Sequence, residues 1–261
     1  MVKRLAGGLT ALAALLLFCA RLLQLFFEYD PASDLFESGI FGYGVTALCF
    51  LVTAIFIIIW RQSRDRAEVF TKTPTTSVRL GSVVLLITSA ISTAVQWFLV
   101  LGGGGEGNRI EATSLANAVF TGAFVLFAMY MVVFLKTGKN RGEVVFTMIP
   151  VVAFLYYLTF HFVSVTEMAQ PFHYCLHILA ACTLTIFFFS YAKRRLYGRS
   201  QMATGGWGLL SCVYLTAECL AGPVYRVITG GFDLLNWAGF GLIGIGLAVF
   251  TFTFGAYLVE N

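Results

Sequence analysis

Eight long apolar runs, none of them alternating, constrain this chain more than anything else in it. They cover 5–28, 39–60, 80–101, 113–135, 144–165, 173–192, 203–221 and 236–258. The hydrocarbon core of a bilayer offers no water, so every backbone N–H and C=O there must be paired within a helix or around a closed barrel. A helix needs about 20 apolar residues to cross, whereas a barrel strand needs roughly half as many, with apolar and polar residues alternating. The runs match the helix on both counts. The chain therefore predicts an all-α, polytopic transmembrane bundle of eight spans, forming one integral membrane domain over 1–261. The seventh run is the least apolar, since it holds Gly205, Gly206, Gly208 and Glu218.

Composition closes the alternatives. The chain is 59% hydrophobic and 11% charged, where a soluble domain carries roughly 45–50% and about 25%. So apolar a chain cannot cover its surface with polar groups in water. A soluble enzyme, a disordered segment, a nucleic-acid-binding domain and a disulfide scaffold are all excluded.

Orientation follows from Lys and Arg in the short loops. With the N-terminus inside, one side of the membrane collects Lys3, Arg4, Arg61, Arg64, Arg66, Lys72, Arg79, Lys136, Lys139, Arg141, Lys193, Arg194, Arg195 and Arg199. Only Arg21, Arg109 and Arg226 of the 17 basic residues remain for the other half. Both termini are thus expected in the cytoplasm, in a cell membrane of bacterial type. The net charge of +4 reports topology and contact with anionic lipid rather than a nucleic-acid partner. Lys3 and Arg4 before the first run resemble the start of a signal peptide. No small-x-small cleavage site follows, so an uncleaved anchor is expected.

Two motifs have plainer readings than their letters suggest. Gly239, Gly241 and Gly244 fit G-x-G-x-x-G, but they lie inside a span, where small residues let helix backbones approach. The six cysteines all fall in spans without a C-x-x-C, which suits small packing residues. Cys175 and Cys182 would meet Cys219 and Cys212 if spans six and seven pack side by side.

Polar side chains fall into stripes. Arg21, Gln24 and Glu28 share one helical face, as do Ser89, Thr93 and Gln96, and Ser114, Asn117 and Thr121. Span five adds Tyr157, His161 and Ser164, and span seven adds Ser211, Tyr214 and Glu218. Ionisable groups at membrane depth usually face a cavity or a partner. The stripes therefore predict an outward-facing polar cavity lined by spans one, three, four, five and seven, or else simple interhelical hydrogen bonding. In the cavity reading Arg21 and Arg226 attract an anionic group, and Glu28 and Glu218 balance charge or carry protons. Gln24, Gln96 and Asn117 donate hydrogen bonds, and Tyr214 contributes its hydroxyl. Binding or translocation of a small polar solute or ion is the leading expectation.

All three histidines cluster at the hairpin of spans five and six. His161, His173 and His177 with Glu167 offer imidazole and carboxylate ligands suited to a transition metal, or two facing imidazoles for haem. No dense ligand motif accompanies them, so the main expectation is no cofactor, with a metal-dependent hydrolase or redox protein as one alternative. A non-catalytic subunit or sensor working beside a membrane partner is the other.

Overall fold

The computed structural model describes residues 2–30, 35–36, 39–62, 76–102, 112–137, 143–166, 175–197 and 201–260. They form α1 (Val2–Glu28), α2 (Ile40–Gln62), α3 (Thr76–Gly102), α4 (Ala112–Thr137), α5 (Glu143–Thr166), α6 (Cys175–Tyr197), α7 (Gln201–Thr229) and α8 (Leu234–Glu260). Seven of these are long and apolar enough to cross a membrane. α5 contributes a shorter described apolar stretch, Val145–Thr159. The protein is thus built as a multi-pass helical membrane protein. One departure from an all-helical chain is a minimal antiparallel pair, β1 (Tyr29–Asp30) with β2 (Leu35–Phe36), on the connection from α1 to α2.

Each helix presents large apolar side chains outward, including Phe50, Leu101, Phe98 and Val152, each more than half exposed. In water that surface would drive aggregation; in lipid it is the natural face of a span. α7 has the lowest mean hydropathy of the spans, 1.3, as its glycines and Glu218 predict.

The end of α7 differs from expectation. The seventh apolar run ends at 221, yet the helix continues to Thr229 with Pro223 inside it. Proline removes one N–H, from the bond that would reach the Cys219 carbonyl. In a membrane bundle neighbouring helices hold such a helix together. The true stop is a Schellman cap. Gly230 adopts φ 77°, its N–H reaches the Val227 carbonyl at 3.4 Å, and the Gly231 N–H reaches the Arg226 carbonyl at 2.9 Å.

Helix packing closes a circuit. α3 packs on α4, α4 on α5, α5 on α6, α6 on α7, α7 on α8, and α8 back on α3; α1 lies against α7, and α2 against α1. The α7–α8 contact is very close. A Cβ placed at Gly205 would stand 2.8 Å from the Gly255 carbonyl oxygen, and one at Gly244 would fall on the Cys219 sulfur. This is the packing role expected of Gly244 in the G-x-G-x-x-G run. Among the cysteines, Cys219 faces α8, Cys212 sits beside Thr216 of its own helix, and Cys175 turns to Thr46 of α2.

Inside the circuit one half is filled by aromatic rings. Phe127 meets Phe188 edge-on at 5.2 Å, Phe127 meets Phe250 at 5.7 Å, and Phe250 stacks on Phe254 at 5.5 Å. Geometry of this kind adds about 0.5–1.5 kcal/mol per pair beyond the burial of area. The other half, holding the first turns of α6 and α8 and the later turns of α5 and α7, is not filled.

Candidate functional site

The unfilled half contains a cavity of about 210 Å³ lined by α4, α5, α6, α7 and α8. Phe120, Phe154, Leu184, Leu215, Ile243 and Leu247 make most of its surface apolar, and its polar groups gather on one wall at Tyr157, His177 and Glu218.

That wall is a chain of four side chains from four helices. Arg21 of α1 places its Nε 3.5 Å from Glu218 Oε2 of α7. Glu218 Oε1 stands 3.6 Å from His177 Nδ1 of α6, just outside hydrogen-bond length. His177 Nε2 lies 2.6 Å from the Tyr157 hydroxyl of α5. The tautomer that aims Nδ1–H at the carboxylate leaves Nε2 to accept the tyrosine O–H. Arg21 is held from two further sides, donating to Gln24 Oε1 at 2.6 Å and lying 5.0 Å over the Phe36 ring of β2. Only 7% of the Arg21 side chain is exposed, against 22% for Glu218, so the glutamate is the member that reaches open space.

The structure thus joins residues that the sequence placed in two separate candidate sites. Arg21 and Glu218 belonged to a solute site and His177 to a metal hairpin; here they are neighbours. Gln24 serves the same group as a brace for Arg21.

The remaining candidates lie elsewhere. Glu28 closes the α1–α2 connection: its two carboxylate oxygens accept the backbone N–H of Phe41 at 2.6 Å and of Gly42 at 2.8 Å. It caps the N-terminus of α2, where a carboxylate also meets the helix dipole. Tyr214 ties α7 to α2 by donating to the Cys49 carbonyl at 2.9 Å, with the Thr53 hydroxyl beside it. Arg226 is exposed in the last turn of α7, where a cation complements the dipole. Gln96 is buried on α3 and Asn117 half-buried on α4, and neither lines the cavity. The side chain of His161 and all of His173 lie outside the described residues, and among the described residues no group of His, Cys, Asp and Glu has metal-site geometry.

α1 contributes only through Arg21 behind the wall, and α3 contributes no lining residue. The hydroxyl stripes are spent inside their own helices: Thr93 donates to the Ser89 carbonyl at 2.7 Å, Thr121 to Asn117 at 3.0 Å, and Ser211 to Trp207 at 2.7 Å. Such i−4 bonding satisfies a hydroxyl in lipid without any partner helix. Ser92 is an exception, bonding the Ala238 carbonyl of α8 at 3.0 Å.

Sequence reasoning missed two contributors. Tyr157 was visible in its stripe but not among the candidate binding residues, and Trp237, which lines the cavity from α8, carries no sequence signal beyond that of an interfacial aromatic. No protein family, curated protein or solved structure matches the chain.

Proposed function

We propose that the protein is a membrane carrier that binds a small molecule in the cavity between α4 and α8, with Arg21, Glu218, His177 and Tyr157 as its polar wall. In this reading both termini are cytoplasmic, the cell membrane is its location, and the cavity belongs to the outer half of the bilayer. The aromatic cluster around Phe127 and Phe250 then closes the inner half. The observation that carries the proposal is the four-helix charge and hydrogen-bond chain beside unfilled space. Burying an ion pair at membrane depth costs desolvation energy that packing alone would avoid with apolar residues. Helices that share such a wall also have a means to move together when it is occupied.

A thermal-stability screen of small molecules on purified protein, wild type against Leu215→Trp, tests this reading. The indole would fill the cavity. Some compounds should raise the Tm of wild type by several degrees and leave the variant unmoved, and those compounds should enter proteoliposomes that contain wild type. Equal shifts in both proteins would mean that the compounds act through the detergent or lipid phase, and the reading would fail. A metal or haem role for His161, His173 and His177 would require His177 to free one ring nitrogen, Nε2 from Tyr157 or Nδ1 from Glu218; elemental analysis and an absorption spectrum of the same preparation test it.

A further inference from the structure

A thin wall separates the inner cavity from the flank of the bundle, and what it implies rests on the binding role just described. A second cavity, of about 350 Å³, runs along Leu158, Thr159, Ile178 and Cys182 and shares Tyr157, His177 and Ala181 with the first. Those three residues therefore stand between the two spaces. Among the described residues only α5 and α6 line the second cavity, so it lies on the outside of the helix circuit. Thr159 precedes the end of α5 at Thr166, and Cys182 follows the start of α6 at Cys175, by the same seven residues. At ~1.5 Å per residue that is about 10 Å from the helix ends, within the spans. Thr159 is exposed there, and its hydroxyl donates to the Leu155 carbonyl at 2.8 Å, which satisfies it without water. Leu155 and Tyr156 beside it are exposed as well. The flank is a lipid-facing surface.

Ala181 has no side chain that can swing aside, so the movable part of the wall is the pair Tyr157 and His177. Their rings stand 5.6 Å apart, joined by the 2.6 Å contact between the hydroxyl and Nε2. The bond forms in every state of the imidazole: a bare Nε2 accepts the tyrosine O–H, and a protonated Nε2 donates to its oxygen. The wall thus holds whatever the charge or tautomer of His177. Tyr157 is pinned, being buried with its ring 4.7 Å from that of Phe120. His177 keeps 22% of its side chain exposed and is the leaf that can turn.

The lining decides what passes. Most of the inner surface is apolar, and the molecules it favours are those that leave water for the bilayer for the same reason, the removal of apolar surface from water. The bilayer is therefore their reservoir, and the second cavity is the nearest space to it. We infer that the ligand is a bilayer-dissolved molecule with an apolar body, and that it enters between α5 and α6 past His177. The probe is 3-trifluoromethyl-3-phenyldiazirine, which has no hydrogen-bonding head and so reads the route alone. An apolar cavity of about 150 Å³ holds benzene, and this probe is a single substituted ring. With the full chain in lipid nanodiscs, photolabelling locates the probe, and ¹⁹F exchange spectroscopy gives its rate between lipid and protein.

Saturable labelling is expected near Leu215 and near Ile178. Cys182→Trp, which obstructs the second cavity, should slow exchange several-fold without lowering the labelling near Leu215 at saturation. Ile178→Trp, one turn away on the same face of α6, repeats the obstruction. Tyr157→Phe keeps the ring and frees His177, so exchange should quicken by roughly three- to tenfold, the worth of one hydrogen bond. Exchange as fast in both tryptophan variants as in wild type would overturn the lateral route and leave binding in the inner cavity standing. Exchange no faster in Tyr157→Phe would overturn His177 as the moving leaf. Labelling near Leu215 that never saturates, or that persists in Leu215→Trp, would overturn both the route and the binding role beneath it.

Discussion

Removing Arg21 without removing Glu218 should be far worse than removing both. At 3.5 Å and an effective dielectric constant of about 20, a pair of unit charges attracts by roughly 5 kcal/mol. Arg21→Met forfeits that attraction and the hydrogen bond to Gln24, and leaves Glu218 with only the more distant His177. Deleting one member of a buried pair typically costs about 3–5 kcal/mol. Because Glu218 keeps 22% of its side chain exposed, solvation of that part offsets some of the loss, and we expect about 3 kcal/mol. Glu218→Leu should cost a similar amount, since it takes the carboxylate from beside a guanidinium that is more deeply buried. Arg21→Met/Glu218→Leu removes both charges and both desolvation penalties, so it should lie within about 1–2 kcal/mol of wild type. Reversible unfolding in mixed micelles by a titrated denaturing detergent gives the three values and hence the coupling energy. A coupling of at least ~3 kcal/mol is the expected result. Single variants as stable as wild type, or a double variant that is the sum of the singles within ~0.5 kcal/mol, would refute the reasoning.

Four further outcomes are expected. Gly39→Ala would set a methyl on the Glu28 carboxylate and push it from the Phe41 and Gly42 amides; a loss of about 1–3 kcal/mol and faster hydrogen exchange at those two amides are expected, and unchanged exchange would count against the cap. Gly205→Val forces a side chain against the Gly255 carbonyl, which as backbone cannot yield, and should abolish a monodisperse folded peak in size-exclusion chromatography. Gly222→Ala, where no atom lies within 4 Å of the added carbon, should be neutral or stabilising by up to about 1 kcal/mol. Reporter fusions should be active as cytoplasmic enzymes after Lys139 and Arg199 and as exported enzymes after Gly104 and Glu167; the opposite pattern at any site would overturn the proposed orientation.

Much of this architecture was legible beforehand because lipid leaves the backbone few options. The helix ends were less so. The seventh apolar run ends at 221, but α7 runs on to a cap at Gly230 that only the φ angle and two carbonyl bonds reveal. At the site, the i, i+3, i+7 spacing of Arg21, Gln24 and Glu28 identified one face but not three separate tasks: an ion pair, a brace and a helix cap. Hydroxyl stripes misled because Thr and Ser can bond their own helix, which spacing cannot distinguish from bonding a neighbour. The meeting of Glu218 with His177 and Tyr157 depends on how α5, α6 and α7 are rotated against one another. Periodicity within a single helix carries no such information.

The proposed carrier role requires unfilled, ligand-accessible space beside this buried ion pair within the membrane. Crystals of the protein pressurised with xenon test it most directly, because xenon enters apolar cavities without chemical preference. Xenon density bounded by Phe154, Leu215 and Ile243 is expected, and it should disappear in Leu215→Trp. Xenon found only on lipid-facing surfaces, with Phe154 and Leu215 packed together where the cavity should be, would contradict it.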